Sequence, residues 1–195
     1  FNPDIIINSA AYTQVENAEN DISLCYEVNS YAVRNLSELC NSQKIQLIHI
    51  STDYIFDGIK KNPYTESDAG APLNVYGDSK NRGDEYIKSS GCNYIILRTS
   101  WVYGHEGNNF VKSILKRSLS NDKLEIVCDQ YGTPTSSCLI AEIIKTHLIQ
   151  YCIEKKNDTC KEIFNLCPTG YTSWFNFAKY IIQYASNINS IYNAD

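Results

Sequence analysis

The chain predicts an α/β fold built on a doubly wound parallel sheet, and three observations carry that prediction. Short β-branched apolar runs at residues 4–7, 45–50 and 94–98 alternate with longer amphipathic stretches at about 22–42 and 75–89. Strand–helix alternation of this kind describes βαβ units. The first run is apolar over Ile5-Ile6-Ile7, and the run 45–50 alternates and then turns apolar, as buried strands do. Polar and small residues also collect just after each run, as Asn8-Ser9-Ala10-Ala11-Tyr12-Thr13, Ser51-Thr52-Asp53 and Thr99-Ser100-Trp101. In open α/β sheets that carboxyl edge is where ligands bind.

Taken in order, residues 4–7 open the chain as a central strand. The loop 8–13 reads either as a plain strand-to-helix connection or as a place where a flat ligand approaches the backbone. Asn20-Asp21 can cap the next helix, and Leu24, Val28, Ala32, Leu36, Leu39 and Cys40 give it an apolar stripe. Asn29 lies inside that helix. It either faces water or disturbs the ladder locally and holds a water. Residues 54–74, rich in Gly, Pro, Asp and Asn, read as a long functional loop. Gly91-Cys92-Asn93 ends the helix 75–89. Further on come a helix at 110–119, a short strand at 124–127, a turn-rich stretch at 129–135 and a helix from Ser136-Ser137 to about 154. A charged loop at 155–158, a strand at 162–166 and a last helix at 174–186 capped by Thr172-Ser173 complete the reading. The tail 187–195 has no periodicity.

Composition narrows the function classes. At 195 residues, 43% hydrophobic and 20% charged, the chain suits one soluble globular domain or slightly more. A net charge of -5 argues against nucleic acid as a partner. No apolar run approaches a membrane span. The 8 cysteines form no CxxC pair and the 3 histidines are scattered, which argues against zinc. It also favours reduced core thiols of a cytoplasmic protein.

The chemistry concentrates at Tyr76-Gly77-Asp78-Ser79-Lys80. Tyr76 and Lys80 at i, i+4 share one helix face. A cation beside a phenol favours the phenolate and lowers a pKa that is ordinarily about 10. A tyrosine so tuned gives or takes a proton. Thr52, at the end of the preceding strand, can supply a hydroxyl to the same oxygen. The plain alternative is a Tyr and a Lys that meet by chance on a surface helix. Trp101 likewise reads as core or rim packing, or as a platform for a sugar or base.

The stretches PDIIINSAAYTQVENAE, NSYAVRNLSELC, IHISTDYIFDG, PYTESDAGAPLNVYGDSK, ILRTSWVYG, GNNFV and DQYGTPT, in this order from residue 3 to about 135, resemble the extended short-chain dehydrogenase/reductase family. Within it they resemble the dTDP-4-dehydrorhamnose reductases. The resemblance implies a Rossmann-like domain over 1–125 and, interleaved with it, mostly substrate-domain elements over 126–195. It implies hydride transfer from NADPH or NADH to the 4-keto group of a nucleotide-linked 6-deoxy-4-hexulose, in the synthesis of dTDP- or UDP-L-rhamnose. Tyr76, Lys80 and Thr52 would be catalytic. Tyr76 would protonate the oxygen and Lys80 would lower its pKa and hold the ribose hydroxyls. Ala11, Tyr12, Thr13, Ile50, Tyr76 and Lys80 would line the cofactor. Thr52, Asp53 and Trp101 would meet the nucleotide-sugar substrate. Asn29 would hold a water, and Asp129, Gln130 and Thr135 would help shape the pocket. A homodimer is the expected assembly.

The family also carries a glycine-rich turn that cradles pyrophosphate, and no GxxGxxG occurs here. The fold is therefore expected to be incomplete at its N-terminus, the chain to belong to a longer parent, and turnover to need that parent. One alternative is a non-catalytic relative such as the regulatory subunit of methionine adenosyltransferase, which resembles the same family. Another is a different nucleotide-sugar epimerase or reductase. A dehydratase would carry an acidic pair after the threonine. Here Thr52 is followed by Asp53 and Tyr54.

Overall fold

The computed structural model describes residues 2–120, 123–156 and 158–189. They form two compact units. The first takes residues 1–99 and 143–166, the second 100–142 and 167–195. These bounds differ from the division at 125 expected above, because the stretch from Ser100 onward packs with the last helix.

The first unit is organised on a four-stranded parallel sheet. The strands are β1 (Ile5–Asn8), β2 (Gln46–Thr52), β3 (Tyr94–Thr99) and a strand at Lys161–Asn165, in that spatial order. The register sets Ile7 opposite Ile48, Ile48 opposite Ile95, and Thr52 opposite Thr99. The carboxyl ends of β1, β2 and β3 therefore share one edge. β2 and β3 are buried along nearly their whole length; β3 runs apolar over Tyr94-Ile95-Ile96-Leu97, whereas β2 buries the polar residues Gln46 and His49 among apolar ones.

Between β1 and β2 the chain is helical over residues 22–43, as α1 (Ile22–Tyr26), a wide π turn (Glu27–Tyr31) and α2 (Ala32–Gln43). The inward residues Cys25, Asn29, Val33 and Ser37 recur every fourth position. On a regular helix each such step overshoots a full turn by about 40°. The extra residue of the π turn absorbs that drift. The expected cap at Asn20-Asp21 is not made by a side chain. Asp21 instead accepts the Tyr12 hydroxyl at 2.9 Å.

Helix α3 (Val75–Ser89) starts where Asn74 accepts the Gly77 N–H at 2.7 Å. Val33 and Cys40 of α2, Ile87 of α3, and Leu47, Tyr94 and Ile96 of the sheet close a core between helices and strands. The loop before α3 is tied down rather than free. Phe56 stacks on Tyr64 with ring centroids 4.2 Å apart, and the Glu66 carbonyl accepts from Arg98 at 3.2 Å.

In the second unit β4 (Val102–Tyr103) precedes α4 (Phe110–Ser118). The strand expected at 124–127 is absent. Leu124 and Ile126 instead pack their side chains on Ile114, Ala178 and Ile181 without a ladder. Two short pairings that the sequence did not announce occur here. β4 pairs in parallel with β6 (Thr135–Ser136), and β5 (Tyr131–Gly132) pairs antiparallel with β8 (Thr172–Ser173). A long helix follows β6 as α5 (Ser137–Ile143), a second π turn (Ile144–Leu148) and α6 (Ile149–Glu154); its later turns belong to the first unit. The strand at Lys161–Asn165 is β7, and α7 (Trp174–Ile188) ends the described chain, its first turn capped by Ser173. Of the tail and the charged loop read from the sequence, residues 190–195 and 157 lie outside the described residues. No helix among the described residues is long and apolar enough to cross a membrane.

Candidate active site

The carboxyl edge of β2 meets the first turn of α3, and two close approaches set that meeting. A Cβ at Gly77 would lie 2.2 Å from the Tyr54 carbonyl, and one at Gly83 would lie 2.3 Å from the Asn29 carbonyl. Both positions need glycine because the helix rests directly on backbone. Tyr76 is thereby brought over the turn at Asp53–Ile55, with its ring edge-on to Tyr54 at 5.5 Å.

Thr52 is the last residue of β2. Its Oγ1 accepts the Tyr54 N–H at 3.2 Å and donates to Asp53 Oδ1 at 3.3 Å. Burial pushes the Asp53 carboxyl up to about 6, with the Thr52 hydroxyl pulling the other way. Burial pushes the Tyr76 phenol up to about 12. A hydrogen bond with Thr52 opposes that rise, while Asp53 adds to it. Thr52 and Asp53 thus both act on the Tyr76 phenol.

Lys80 behaves differently from the expectation. The phenol moves up, not down, and the groups acting on it are Thr52, Asp53, Tyr54 and Cys25, not Lys80. The reason is direction and depth. Lys80 is 2% exposed. Its Nζ donates to the Ile50 carbonyl at 2.7 Å and lies 3.3 Å from His49 Nε2. Burial lowers Lys80 to about 8, against the charge of Asp84. Ile50 takes part through its carbonyl.

Tyr12 packs with Ala18 and Cys25, and Tyr76 packs against that cluster. Ala11 is half-buried and Thr13 exposed on either side of it. Asn29, expected above to hold a water, makes direct bonds. Its amide grips both the N–H and the carbonyl of Tyr12 and donates to Ser79 Oγ at 3.1 Å. Asn29 sits in the π turn, which turns its side chain inward.

Sequence reasoning missed a buried polar set behind the site. Ser51 donates to Asp84 Oδ2 at 2.9 Å, and Arg98 Nε lies 3.7 Å from the same oxygen. His49 Nε2 lies 3.9 Å from Asp84 Oδ1. The available signals were a histidine inside an otherwise apolar buried strand, and an Asp one turn beyond Lys80 on α3.

Trp101 belongs to the second unit. It stacks on Trp174 with centroids 3.5 Å apart, over the backbone of Gly132, where a Cβ would meet the indole at 2.5 Å. Its own φ is 46°, a left-handed conformation rare for a bulky residue. Thr135 is buried beside it and donates its N–H to the Trp101 carbonyl at 3.3 Å, whereas Asp129 and Gln130 are exposed.

A family model described as RmlD substrate binding domain matches residues 1–193. The chain belongs to this family. It is 41% identical over 181 residues to a dTDP-4-dehydrorhamnose reductase of Sinorhizobium fredii, covering 93% of this chain and 61% of that one. A solved dTDP-4-dehydrorhamnose reductase from Bacillus anthracis, in complex with NADP, superposes with a TM-score of 0.82 at 37% identity, covering 95% of this chain and 64% of that one. One from Clostridium acetobutylicum superposes with a TM-score of 0.86 at 35% identity, covering 99% and 64%. The chain thus spans about three fifths of the length of the RmlD-family proteins it matches. The α/β fold with a parallel Rossmann-like sheet is common to them.

Proposed function

We propose that this RmlD-family chain carries the proton-transfer part of an NAD(P)H-dependent reductase. Its substrate would be a nucleotide-linked 6-deoxy-4-hexulose, reduced at the 4-keto group in dTDP- or UDP-L-rhamnose synthesis. The observation that carries the reading is the convergence of Thr52 and Asp53 on the Tyr76 phenol at the carboxyl edge of the sheet. The relatives' names favour this over the regulatory-subunit alternative.

A phenol held at about 12 keeps its proton at neutral pH. That is the state from which an acid donates to an alkoxide forming at a reduced carbonyl carbon, which is more basic still. Thr52 hydrogen-bonds at the same oxygen and steadies it. Asp53 and Trp101 are assigned to the sugar.

The residues present fit the nicotinamide-ribose end of a dinucleotide. Whether Lys80 is an amine or an ammonium, Ile50 and His49 leave it one N–H for a ribose hydroxyl. Ala11, Tyr12 and Thr13 are assigned to the same ligand. NADPH or NADH, when bound, supplies the hydride. The eight cysteines are free thiols, which supports a cytoplasmic setting. A homodimer completes the proposal, checked by light scattering.

The test is made in the full-length protein, following NADPH oxidation with the keto-sugar nucleotide. Tyr76→Phe should lower turnover by roughly 10²–10⁴, the contribution of a general acid. Unchanged turnover would remove Tyr76 from the reaction.

A further inference from the structure

His49 is fully buried in β2, between Asn8 at the end of β1 and Lys80 on α3. Its Nδ1 lies 3.0 Å from Asn8 Nδ2 and its Nε2 lies 3.3 Å from Lys80 Nζ. Burial, with the charge of Lys80, holds the imidazole well below its ordinary range, so it is neutral. A neutral imidazole has one donor and one acceptor.

The Asn8 amide decides which nitrogen is which. Ala10 donates its backbone N–H to Asn8 Oδ1 at 3.2 Å, which leaves Asn8 Nδ2 to donate to His49 Nδ1. The ring proton then sits on Nε2 and points at Lys80. That donor finds a partner while Lys80 is an amine with a lone pair. An ammonium has no acceptor. When Lys80 takes up a proton, Nε2 must accept, the ring proton must pass to Nδ1, and Asn8 must turn its Oδ1 towards the ring. Ala10 is then released. The net uptake is one proton, at Lys80.

We propose that His49 is a positioning residue that links the proton on Lys80 to the orientation of the Asn8 amide, and through Ala10 to the turn carrying Ala11, Tyr12 and Thr13. The charged and titratable groups around this line are Asp84 and Lys88 on α3, Tyr76 on the same helix, and Arg98 on β3. Asp84 supports the ammonium and offsets Arg98. Asn8 is the neutral group that orders the ring. The functional weight of the link rests on the reductase reading, in which Lys80 and this turn face one ligand.

The experiment uses isotopically labelled full-length protein and NMR, with the Lys80 side-chain signal assigned by its loss in Lys80→Met. In the unmodified protein the Ala10 amide resonance should titrate with the same midpoint as Lys80. Asn8→Leu, uncharged and of similar size, frees the ring tautomer. It should raise the Lys80 midpoint by about one unit, the scale of a hydrogen bond to the charged form. In a His49→Leu background the same change should have no effect. An Ala10 resonance that stays flat through the Lys80 transition overturns the proposal. So does an Asn8→Leu shift that is equal with and without His49. Where Asn8→Leu does not fold, the titration of the unmodified protein decides. None of these readouts involves turnover, so a full-length protein that oxidises no NADPH with the keto-sugar nucleotide would sink the reductase reading without touching this result.

Discussion

Asn29 brackets Tyr12 with two hydrogen bonds, its Oδ1 accepting the Tyr12 N–H at 2.9 Å and its Nδ2 donating to the Tyr12 carbonyl at 3.1 Å. One side chain thus does for a loop residue what a neighbouring strand would do. Asn29→Leu removes both partners and strands two buried backbone groups. A loss of about 2–4 kcal/mol is expected from unpaired polar groups of this kind. Urea unfolding of the full-length protein measures it, and a loss below about 0.5 kcal/mol would mean that the bracket does not hold the loop.

Gly83 reverses a familiar rule. Glycine to alanine inside a helix ordinarily gains about 1 kcal/mol. Here the added Cβ would lie 2.3 Å from the Asn29 carbonyl, a backbone atom of the π turn. Gly83→Ala should therefore lower stability by about 1–3 kcal/mol through overpacking. Thermal unfolding tests the sign: a raised midpoint would show that α3 can lift from the π turn at little cost.

Asp53 gives a pH dependence of stated sign. Its folded-state pKa of about 6 lies above the ordinary 3.8, so the folded protein binds this proton more tightly than the unfolded chain does. The stability linked to it is complete below about pH 4 and is lost as pH rises through 6. Asp53→Asn removes the titration. The stability difference between variant and parent should therefore shift in the variant's favour from pH 4 to 7. A difference that is flat across that range would place Asp53 in contact with water.

Trp101 is read as a sugar platform, and its stacking on Trp174 presents it as a fixed plane. Trp101→Ala in the full-length protein should weaken nucleotide-sugar binding about 2- to 10-fold, the range of a lost aromatic contact. NADPH binding should change by less than twofold. Calorimetry of both ligands separates these outcomes, and equal weakening of the two would make Trp101 a packing residue alone.

Much of this was legible in the sequence, for identifiable reasons. β2 and β3 were readable because strands buried on both faces cannot hide their composition. The meeting of Thr52 with Tyr76 was readable because a strand end and a helix start are both marked by polar residues. The direction of Lys80 was not. Spacing at i, i+4 places Lys80 below Tyr76 but does not say that a carbonyl at Ile50 and an imidazole at His49 will draw the amine inward. The short strand read at 124–127 misled for a related cause. Leu124 and Ile126 pack on a helix cluster, without any strand beside them. The π turn was legible only as one of two readings at Asn29, a local disturbance of the ladder, because an extra residue leaves a stripe of apolar residues almost unchanged.

That π turn, at Glu27–Tyr31, also limits the length of the polypeptide between β1 and β2. Delete one residue there and a regular helix becomes available with its two halves still in phase, because Val33 then returns to within about 20° of the face of Cys25. Add one residue instead and the two halves differ in phase by about 100°. Either Cys25 keeps its place beside Tyr12 and Val33 with Cys40 swing out of the core, or the reverse. The segment already carries the extra residue that its helix absorbs, so a single-codon insertion within it would set the loop at Tyr12 against the core under α3, and one of them would have to open.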